Sequence, residues 1–415
     1  MNLRMKSLRV FSLAMGLISF SISNAGVLEE VVVTAQKKDQ PLQDVGIAVT
    51  AFTGNQLKQL GWSNAEKVTS MTPGVTTIQP NGPSAFFTNI RGVAQNDFSG
   101  DHQESPVAIY VDEAYVSAAS GAGFQMFDYE RVEILRGPQG TLFGRNATGG
   151  LVHYITKKPD RAADGYLEFT AGDYDQTKLE GAAGGGLTEN ISGRVSFVRN
   201  KHDGVLKNSF GPDLNDGDDW AVRGKLLIEF DSGAEWLIGA RAGEQDVNIG
   251  PFTHQSARLN PLTGLGESFN GTDLSATGDS RISAGYQDPD DDLFKASINV
   301  EGFNRIETSG ITSNFSIGIG DSMKFVSITD ITTLEKNYIE DSDAGPNDFF
   351  AFSLRSDIDQ FSQEFRLSGE RDSMSWVAGV FYLGIDGDFL MGAPHQTFLQ
   401  QPSRGLALMI HLLRH

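Results

Sequence analysis

The chain has 415 residues, a formal net charge of −20 at pH 7 and no cysteine. This acidic balance excludes a nucleic-acid partner, because surfaces that bind nucleic acid neutralise phosphates with Lys and Arg. Without cysteine there are no disulfides, so stability has to come from size, sheet pairing or a membrane. After residue 25, no apolar run reaches the roughly eighteen residues that a membrane-spanning helix needs.

The start of the chain has the pattern of an export signal. Three basic residues precede an apolar stretch over residues 10–22, and Ser23 and Ala25 supply the small residues of a cleavage site. A short membrane anchor is the alternative, but the stretch is too short to span a bilayer. We therefore predict a signal peptide over residues 1–25 and a mature protein outside the cytoplasm.

Residues 28–35 favour an extended strand, because Val31, Val32, Val33 and Thr34 are all β-branched. No neighbouring segment has the pattern of a hairpin partner. A lone extended segment at a chain end suits pairing with the sheet edge of another protein, and an ordinary first strand is the alternative.

The next segment has the short, mixed elements of a small α+β domain of about 130 residues. A capping box at Ser63 begins the second of its two helices, which ends at Met71 before a Pro-Gly pair. The predicted helices cover residues 54–60 and 63–71, and the predicted strands cover residues 45–52, 75–79, 87–91, 107–116, 131–136 and 151–156.

Near residue 160 the pattern changes to longer segments that alternate apolar and polar residues. Ile191, Val195 and Phe197 share one face, for example, while Arg194 lies on the other. Charges at regular intervals on one face suit a wet barrel lumen, with the apolar face toward lipid, although a soluble sandwich also alternates. The predicted strands cover residues 191–198, 221–230, 235–241, 294–300, 323–332, 361–368 and 374–382.

Residues 127–150 (FDYERVEILRGPQGTLFGRNATGG) closely resemble the plug motif of TonB-dependent receptors, as do the stretches NIRG at 89–92 and VAIYVDE at 107–113. The resemblance implies an α+β plug over residues 41–160, followed by an antiparallel transmembrane β-barrel over residues 161–390. It places the protein in the outer membrane of a Gram-negative bacterium, as a monomer in contact with lipid.

Residues 28–35 look like the TonB box of this family, within a box-and-linker segment over residues 26–40. The resemblance therefore implies TonB, the inner-membrane energy-coupling protein, as a partner. The box residues carried over are Glu30, Val31, Val32, Val33, Thr34 and Ala35.

In the family, arginines of two plug motifs pair with glutamates of the barrel wall. The matching residues are Arg91 and Arg136, and Glu364 is a candidate partner because an arginine grips a carboxylate with two parallel hydrogen bonds. The alternative is that both arginines only fill solvated lumen space.

The function that the resemblance implies is active uptake of a scarce solute, most often a ferric siderophore. Oligosaccharide, haem and cobalamin are alternative substrates, and a passive porin leaves the box and the plug without a purpose. The ligand depends on extracellular loops and on plug apices around residues 80–87 and 94–104, which carry no recognisable code.

No catalytic, cofactor or metal site is expected. The glycine-rich run lacks the Gly-Lys-Ser/Thr of a phosphate loop, and no Gly-x-Ser-x-Gly elbow occurs. The seven histidines are scattered without metal-ligand spacing. Residues 213–219 lack the distal glutamate of a calcium loop, so a solvated loop is the better interpretation.

The last residues depart from the family pattern. Family barrels have twenty-two strands around a plugged lumen, whereas about ten are predicted here. Residues 391–415 lose the alternation, and residues 406–415 lack the pattern of a barrel strand. We therefore expect an atypical tail and a truncated or frameshifted product, which could be a non-functional fragment.

Overall fold

The structure is a computed structural model that describes residues 31–38, 40–62, 65–79, 86–95, 101–121, 126–252, 257–259, 266–268, 292–346, 351–371, 374–393 and 396–414. The predicted signal peptide, Glu30, Ser63 of the capping box, residues 80–85 of the first predicted apex and residues 96–100 of the second lie outside these residues.

Three α-helices and nine strands make up the described part of the chain up to Thr156. The helices are α1 (Gly54–Gln59), α2 (Ala65–Ser70) and α3 (Gly140–Phe143), with short 3-10 turns at Leu42–Asp44 and Ala119–Gly121. The strands are β1 (Val32–Val33), β2 (Gln40–Pro41), β3 (Ala48–Thr53), β4 (Val75–Ile78), β5 (Phe87–Ile90), β6 (Val107–Val111), β7 (Ala114–Val116), β8 (Tyr129–Arg136) and β9 (Gly150–Thr156).

The remaining described elements are all strands. They are β10 (Asp164–Ala171), β11 (Thr177–Gly186), β12 (Ile191–His202), β13 (Lys207–Asn208), β14 (Gly217–Glu229), β15 (Glu235–Asn248), β16 (Ala257–Leu259), β17 (Gly266–Ser268), β18 (Lys295–Ala296), β19 (Phe303–Ile319), β20 (Met323–Asp341), β21 (Ala351–Arg371), β22 (Met374–Ala393) and β23 (Gln396–Arg414). No helix among the described residues is both long enough and apolar enough to cross a membrane.

A five-stranded sheet organises the N-terminal domain, in the order β3-β8-β9-β6-β7. The pairing of β6 with β9 is parallel, and the other neighbours are antiparallel. The central strands β8 and β9 are rich in β-branched and apolar residues, so both of their faces are covered. The α+β domain predicted from the sequence is therefore present.

One predicted strand of this domain is broken. Residues 107–116 were expected to be continuous, but Asp112 and Glu113 form a turn between the antiparallel strands β6 and β7. Both residues adopt left-handed backbone conformations, with φ of 50° and 70°. Tertiary contacts have to hold them there, because this region is costly for residues other than glycine.

The second part of the molecule is a ten-stranded antiparallel sheet in the order β10-β11-β12-β14-β15-β19-β20-β21-β22-β23. Phe169, Val195 and Ile311 are exposed on its outer face, whereas Arg194 and Asp330 are buried on the inner face, against the N-terminal domain. The predicted alternation, with apolar residues outward and charged residues inward, is therefore confirmed.

Residues 294–300 were wrongly predicted to be a strand of this sheet. Only Lys295–Ala296 is extended, and it pairs in parallel with Lys207–Asn208 outside the long sheet. The strand between β15 and β20 is β19 instead, and it was not predicted from the sequence. Ser, Thr, Gly and Asn make up much of β19, so its apolar alternation is weak.

The expectation that residues 406–415 are not a strand was also wrong. Strand β23 runs antiparallel to β22 over Trp376↔Arg414 to Ala393↔Gln396, with one register shift at Leu390/Met391. Main-chain hydrogen bonds join the two strands, and these do not depend on side-chain alternation. A search for alternation therefore cannot find such a strand.

Candidate functional site

The turn between β6 and β7 connects the N-terminal domain to two separate strands of the long sheet. Asp112 Oδ2 lies 2.8 Å from Lys225 Nζ on β14. Glu113 Oε2 lies 2.6 Å from Arg366 Nη2 on β21. Two adjacent residues with positive φ thus point their carboxylates toward different parts of the wall, which gives the strained turn a structural purpose.

Both carboxylates stay charged despite their burial. Burial raises the pKa of Asp112, but Lys225 and Arg223 outweigh it and bring that pKa to about 2. Burial likewise raises the pKa of Glu113, and Arg366 and Lys37 bring it to about 2. The turn is therefore fully ionised at neutral pH, and its charges are compensated by the wall and the linker.

An alternating chain of charges continues from this turn to the N-terminal segment. Arg366 Nη1 donates to Glu364 Oε1 at 2.9 Å, and Lys37 Nζ lies 3.2 Å from Glu364 Oε2. The Lys37 ammonium also lies over the rings of Phe143 and Tyr110, 4.7 and 5.4 Å from their centroids. The linker after the predicted box is thus tied to the wall of the long sheet by a buried pair.

Glu364 therefore lies at the interface, but not with the predicted partners. Arg136 Nη1 donates to the carbonyl oxygen of Pro73 at 3.0 Å, inside the N-terminal domain. The Arg91 backbone N–H donates to Gly74 O at 2.8 Å, in the same corner of the domain. The predicted pairing of Glu364 with Arg91 or Arg136 is wrong for the described residues, because Lys37 and Arg366 occupy its oxygens.

The described part of the predicted box is docked on the N-terminal domain. Val33 and Ala35 are 0% and 1% exposed, in a cluster that includes Leu135 and Leu151. Short as it is, β1 pairs with β2, and the Leu42 N–H donates to Val31 O at 2.8 Å. Among the described residues of the predicted box, Val32 and Val33 therefore form a short strand that packs on the N-terminal domain.

A buried glutamate of β8 contacts the box from the other side. Glu133 is 0% exposed and accepts hydrogen bonds from the Thr34 N–H at 2.9 Å and from Arg131 Nε at 2.8 Å. His153 lies opposite Glu133 across the β8–β9 pair, and burial lowers its pKa. Its Nε2 accepts from the Glu113 N–H at 3.0 Å, as a neutral imidazole can.

Two further ion pairs fasten the N-terminal domain to the wall. Asp128 accepts two hydrogen bonds from Arg194 of β12, at 2.8 and 2.5 Å. Asp101 lies 3.7 Å from Lys336 of β20, and both side chains are buried. The inward position of Arg194 was visible in the sequence, but its partner was not, because 66 residues separate the two.

The described residues contain no group of three or more histidine, cysteine or acidic side chains that could hold a metal ion. The polar groups of the interface are paired mainly with one another. This arrangement has a mechanical role. It holds the N-terminal domain and its first strand against the long sheet through ion pairs, which can break and form again.

Comparison with known proteins relates the N-terminal domain to a known family and the fold of the whole chain to solved structures. Residues 41–151 match the family model "TonB-dependent Receptor Plug Domain". The pesticin receptor of Yersinia pestis is 29% identical over 212 residues, which cover 49% of this chain and 31% of that protein. The ferripyoverdine receptor of Pseudomonas aeruginosa is 31% identical over 166 residues, which cover 37% of this chain and 19% of that protein.

Solved structures show the same fold over most of the chain. The ferric yersiniabactin uptake receptor of Yersinia pestis superposes with a TM-score of 0.67 at 19% identity, covering 88% of this chain and 52% of the other. The receptor in the FpvAI–pyocin S2 complex superposes with a TM-score of 0.68 at 16% identity, covering 89% of this chain and 45% of the other.

The matched region spans less than a third of the curated relatives named here. Over that region, both the family match and the superpositions agree with the plug motif and with the order of the elements. Residues 41–151 form a TonB-dependent receptor plug domain, and the chain has the plug-and-barrel fold of TonB-dependent outer-membrane receptors.

Proposed function

We propose that the protein takes part in active, TonB-coupled uptake of a ferric siderophore across the outer membrane. The pesticin, ferripyoverdine and ferric yersiniabactin receptors, to which the chain is similar, supply the substrate class. In this proposal the protein is a transport receptor rather than an enzyme, and it acts as a monomer surrounded by outer-membrane lipid.

The observation that carries the proposal is the docking of Val31–Ala35 beside the charge chain of Glu113, Arg366, Glu364 and Lys37. A strand at a chain end can pair with the sheet edge of TonB. Several backbone hydrogen bonds sheared together resist a pull better than one side-chain anchor does. A pull on this strand reaches Lys37 next, and through Lys37 it reaches the barrel wall.

The two sheets of the fold support a division of the chain into three parts. We propose that residues 26–40 are the box and linker, residues 41–160 are the plug, and the strands from residue 161 onward form the barrel wall. The outer membrane holds no ion gradient, so movement of the plug needs energy supplied through the box. Separating the paired charges leaves both partners uncompensated, so the plug needs an energy input to leave the wall and favours returning to it.

Cobalamin is the second candidate substrate, because a vitamin B12 transporter of Vibrio vulnificus is 24% identical over 215 residues. Haem and oligosaccharides have no comparable support. A passive porin is disfavoured, because it gives no purpose to a docked strand or to a plug tied to the wall.

Deletion of residues 30–35 tests the proposal. An importer loses energised uptake of the ferric chelate but still binds it at the cell surface, whereas a porin is unaffected in both assays. Replacing the exposed Leu60 of the plug by alanine is a control that should change neither. Unchanged uptake after the deletion contradicts TonB coupling, and growth restored only by cobalamin contradicts the substrate class.

A further inference from the structure

One edge of the box strand is occupied by the chain itself. Val32 and Val33 of β1 lie opposite Pro41 and Gln40 of β2, and the Leu42 N–H donates to Val31 O. The backbone groups of Val31 and Val33 therefore face β2, because successive residues of a strand point their N–H and C=O groups to opposite sides.

By the same alternation, the backbone groups of Val32 and the N–H of Thr34 face the other edge, whereas the Thr34 carbonyl oxygen accepts from the Lys37 N–H at 2.9 Å in the turn that follows. A buried side chain meets that edge at Thr34. The Glu133 Oε1 atom accepts from the Thr34 N–H at 2.9 Å and from the Thr34 hydroxyl at 3.2 Å. A carboxylate thus takes the place that the carbonyl oxygen of a partner strand would occupy.

Loss of the contact with Thr34 would be costly for Glu133. Its side chain is 0% exposed, and besides Thr34 it pairs with Arg131, whose Nε lies 2.8 Å away. A buried carboxylate is costly unless its oxygens receive hydrogen bonds. When the box leaves, Glu133 loses the two Thr34 donors, so the domain favours the return of the box.

We propose that Glu133 is a positioning residue that caps the free edge of the TonB box. Strand addition by TonB at Thr34 requires this contact to break, and the contact re-forms when TonB lets go. The TonB part of this statement rests on the proposed function, whereas the capping of the box by Glu133 does not.

The chain contains no cysteine, so a single introduced thiol reports on the box alone. We would replace Val33 by cysteine in the full chain and measure its rate of modification by a maleimide in membranes. In the Glu133→Ala background we expect modification to be about tenfold faster or more, because a hydrogen-bonded charge is lost. The Glu133→Gln background should give a smaller increase, since its amide oxygen still accepts.

Two control thiols separate release of the box from damage to the plug. A cysteine at Val32, which is 42% exposed, should react at nearly the same rate in all backgrounds. A cysteine at Val152, which is 1% exposed in the plug sheet, should stay protected if the domain remains folded. Unchanged protection of residue 33 in the Glu133→Ala background overturns the proposal.

If residue 152 also becomes reactive, Thr34→Pro decides instead, because it removes both the N–H and the hydroxyl that donate to Glu133 and leaves Glu133 in place. Faster labelling confined to residue 33 then supports capping, and no change overturns it. A second readout is the affinity of the purified TonB C-terminal domain, which Glu133→Ala should raise, whereas general damage would lower it. Labelling needs no TonB, so this proposal and the proposed function can fail separately.

Discussion

At the scale of single residues, Asp112 and Glu113 form two of the ion pairs that hold the plug against the wall, with Lys225 and Arg366. The stretch VAIYVDE marked the family, but the partners of its two acids lie 113 and 253 residues further along the chain (225 − 112 and 366 − 113). No local pattern encodes such pairings. Alternation shows only that Lys225 and Arg366 point inward. It does not show which residues they contact.

The depressed pKa values predict how the attachment of the plug depends on pH. Both pKa values fall to about 2, from ordinary values of 3.8 and 4.5. Each carboxylate therefore contributes roughly 2–3 kcal/mol above its unfolded pKa, and this is lost as the pH falls from about 4.5 toward 2.

We expect the urea concentration that exposes the plug to pepsin, a protease that is active at acid pH, to fall over this acid range. Glu113→Gln should give a flatter profile, because one of the two titrating groups is gone. A profile of equal slope in the variant would show that Glu113 is not a source of the pH dependence.

Gly150 is a second residue whose role the structure defines. Its φ is +143°, and a Cβ would lie 2.2 Å from the Leu135 carbonyl oxygen. Gly150→Ala should therefore destabilise the plug by about 2–4 kcal/mol. Gly140→Ala is the matched control, because its Cβ would meet nothing within 4 Å.

Urea-dependent trypsin cleavage within residues 41–157 measures both glycine variants. Equal cleavage midpoints would mean that the close approach of β8 and β9 at Gly150 is not required. The glycine-rich run was recognised from the sequence, but which of its glycines are constrained depends on the strand beside each one.

At the scale of elements, apolar alternation was the most informative signal for strands. It found β12, β14 and β15, whose outward residues are large and apolar. It missed β10 and β11, and it also missed β19, which is rich in small polar residues. It also extended one strand through Asp112 and Glu113, because no glycine marks that turn. In these segments, pairing with neighbouring strands, rather than the local sequence, determines whether the chain is extended.

Because Lys37 of the linker pairs with Glu364 of β21, we expect a second substitution to restore part of the stability that the first one removes. Lys37→Met keeps the contact with Phe143 but leaves Glu364 and Glu113 sharing the single charge of Arg366. We expect this change to cost about 1–3 kcal/mol. Adding Glu364→Gln should restore part of the loss, because Glu113 and Arg366 then balance each other.

Thermal unfolding of the single and double variants in detergent measures this coupling as a double-mutant cycle. Glu370→Gln is a control on the same strand, since that carboxylate is largely exposed. Additive losses from Lys37→Met and Glu364→Gln would contradict the charge chain.

At the scale of the whole molecule, the proposed function places the outer face of the long sheet in lipid and its inner face against the plug. Ile331 of β20 and Leu60 of the plug are equally exposed, at 51% and 52%. Under the proposed function Ile331 faces lipid, so Ile331→Arg should cost about 2–4 kcal/mol and reduce membrane assembly, whereas Leu60→Arg should be tolerated. The amount of protein recovered in the outer-membrane fraction checks this, and equal recovery of the two variants would argue against a lipid-facing wall.

The central claim is that energy enters through backbone pairing at the box. The most direct test is the binding of the purified TonB C-terminal domain to the full chain carrying Val32→Pro or Val32→Ala. Proline removes an N–H from the free edge of the strand, whereas alanine keeps it. We predict that Val32→Pro abolishes binding and that Val32→Ala largely preserves it. Equal affinity of the two variants would contradict coupling by strand addition.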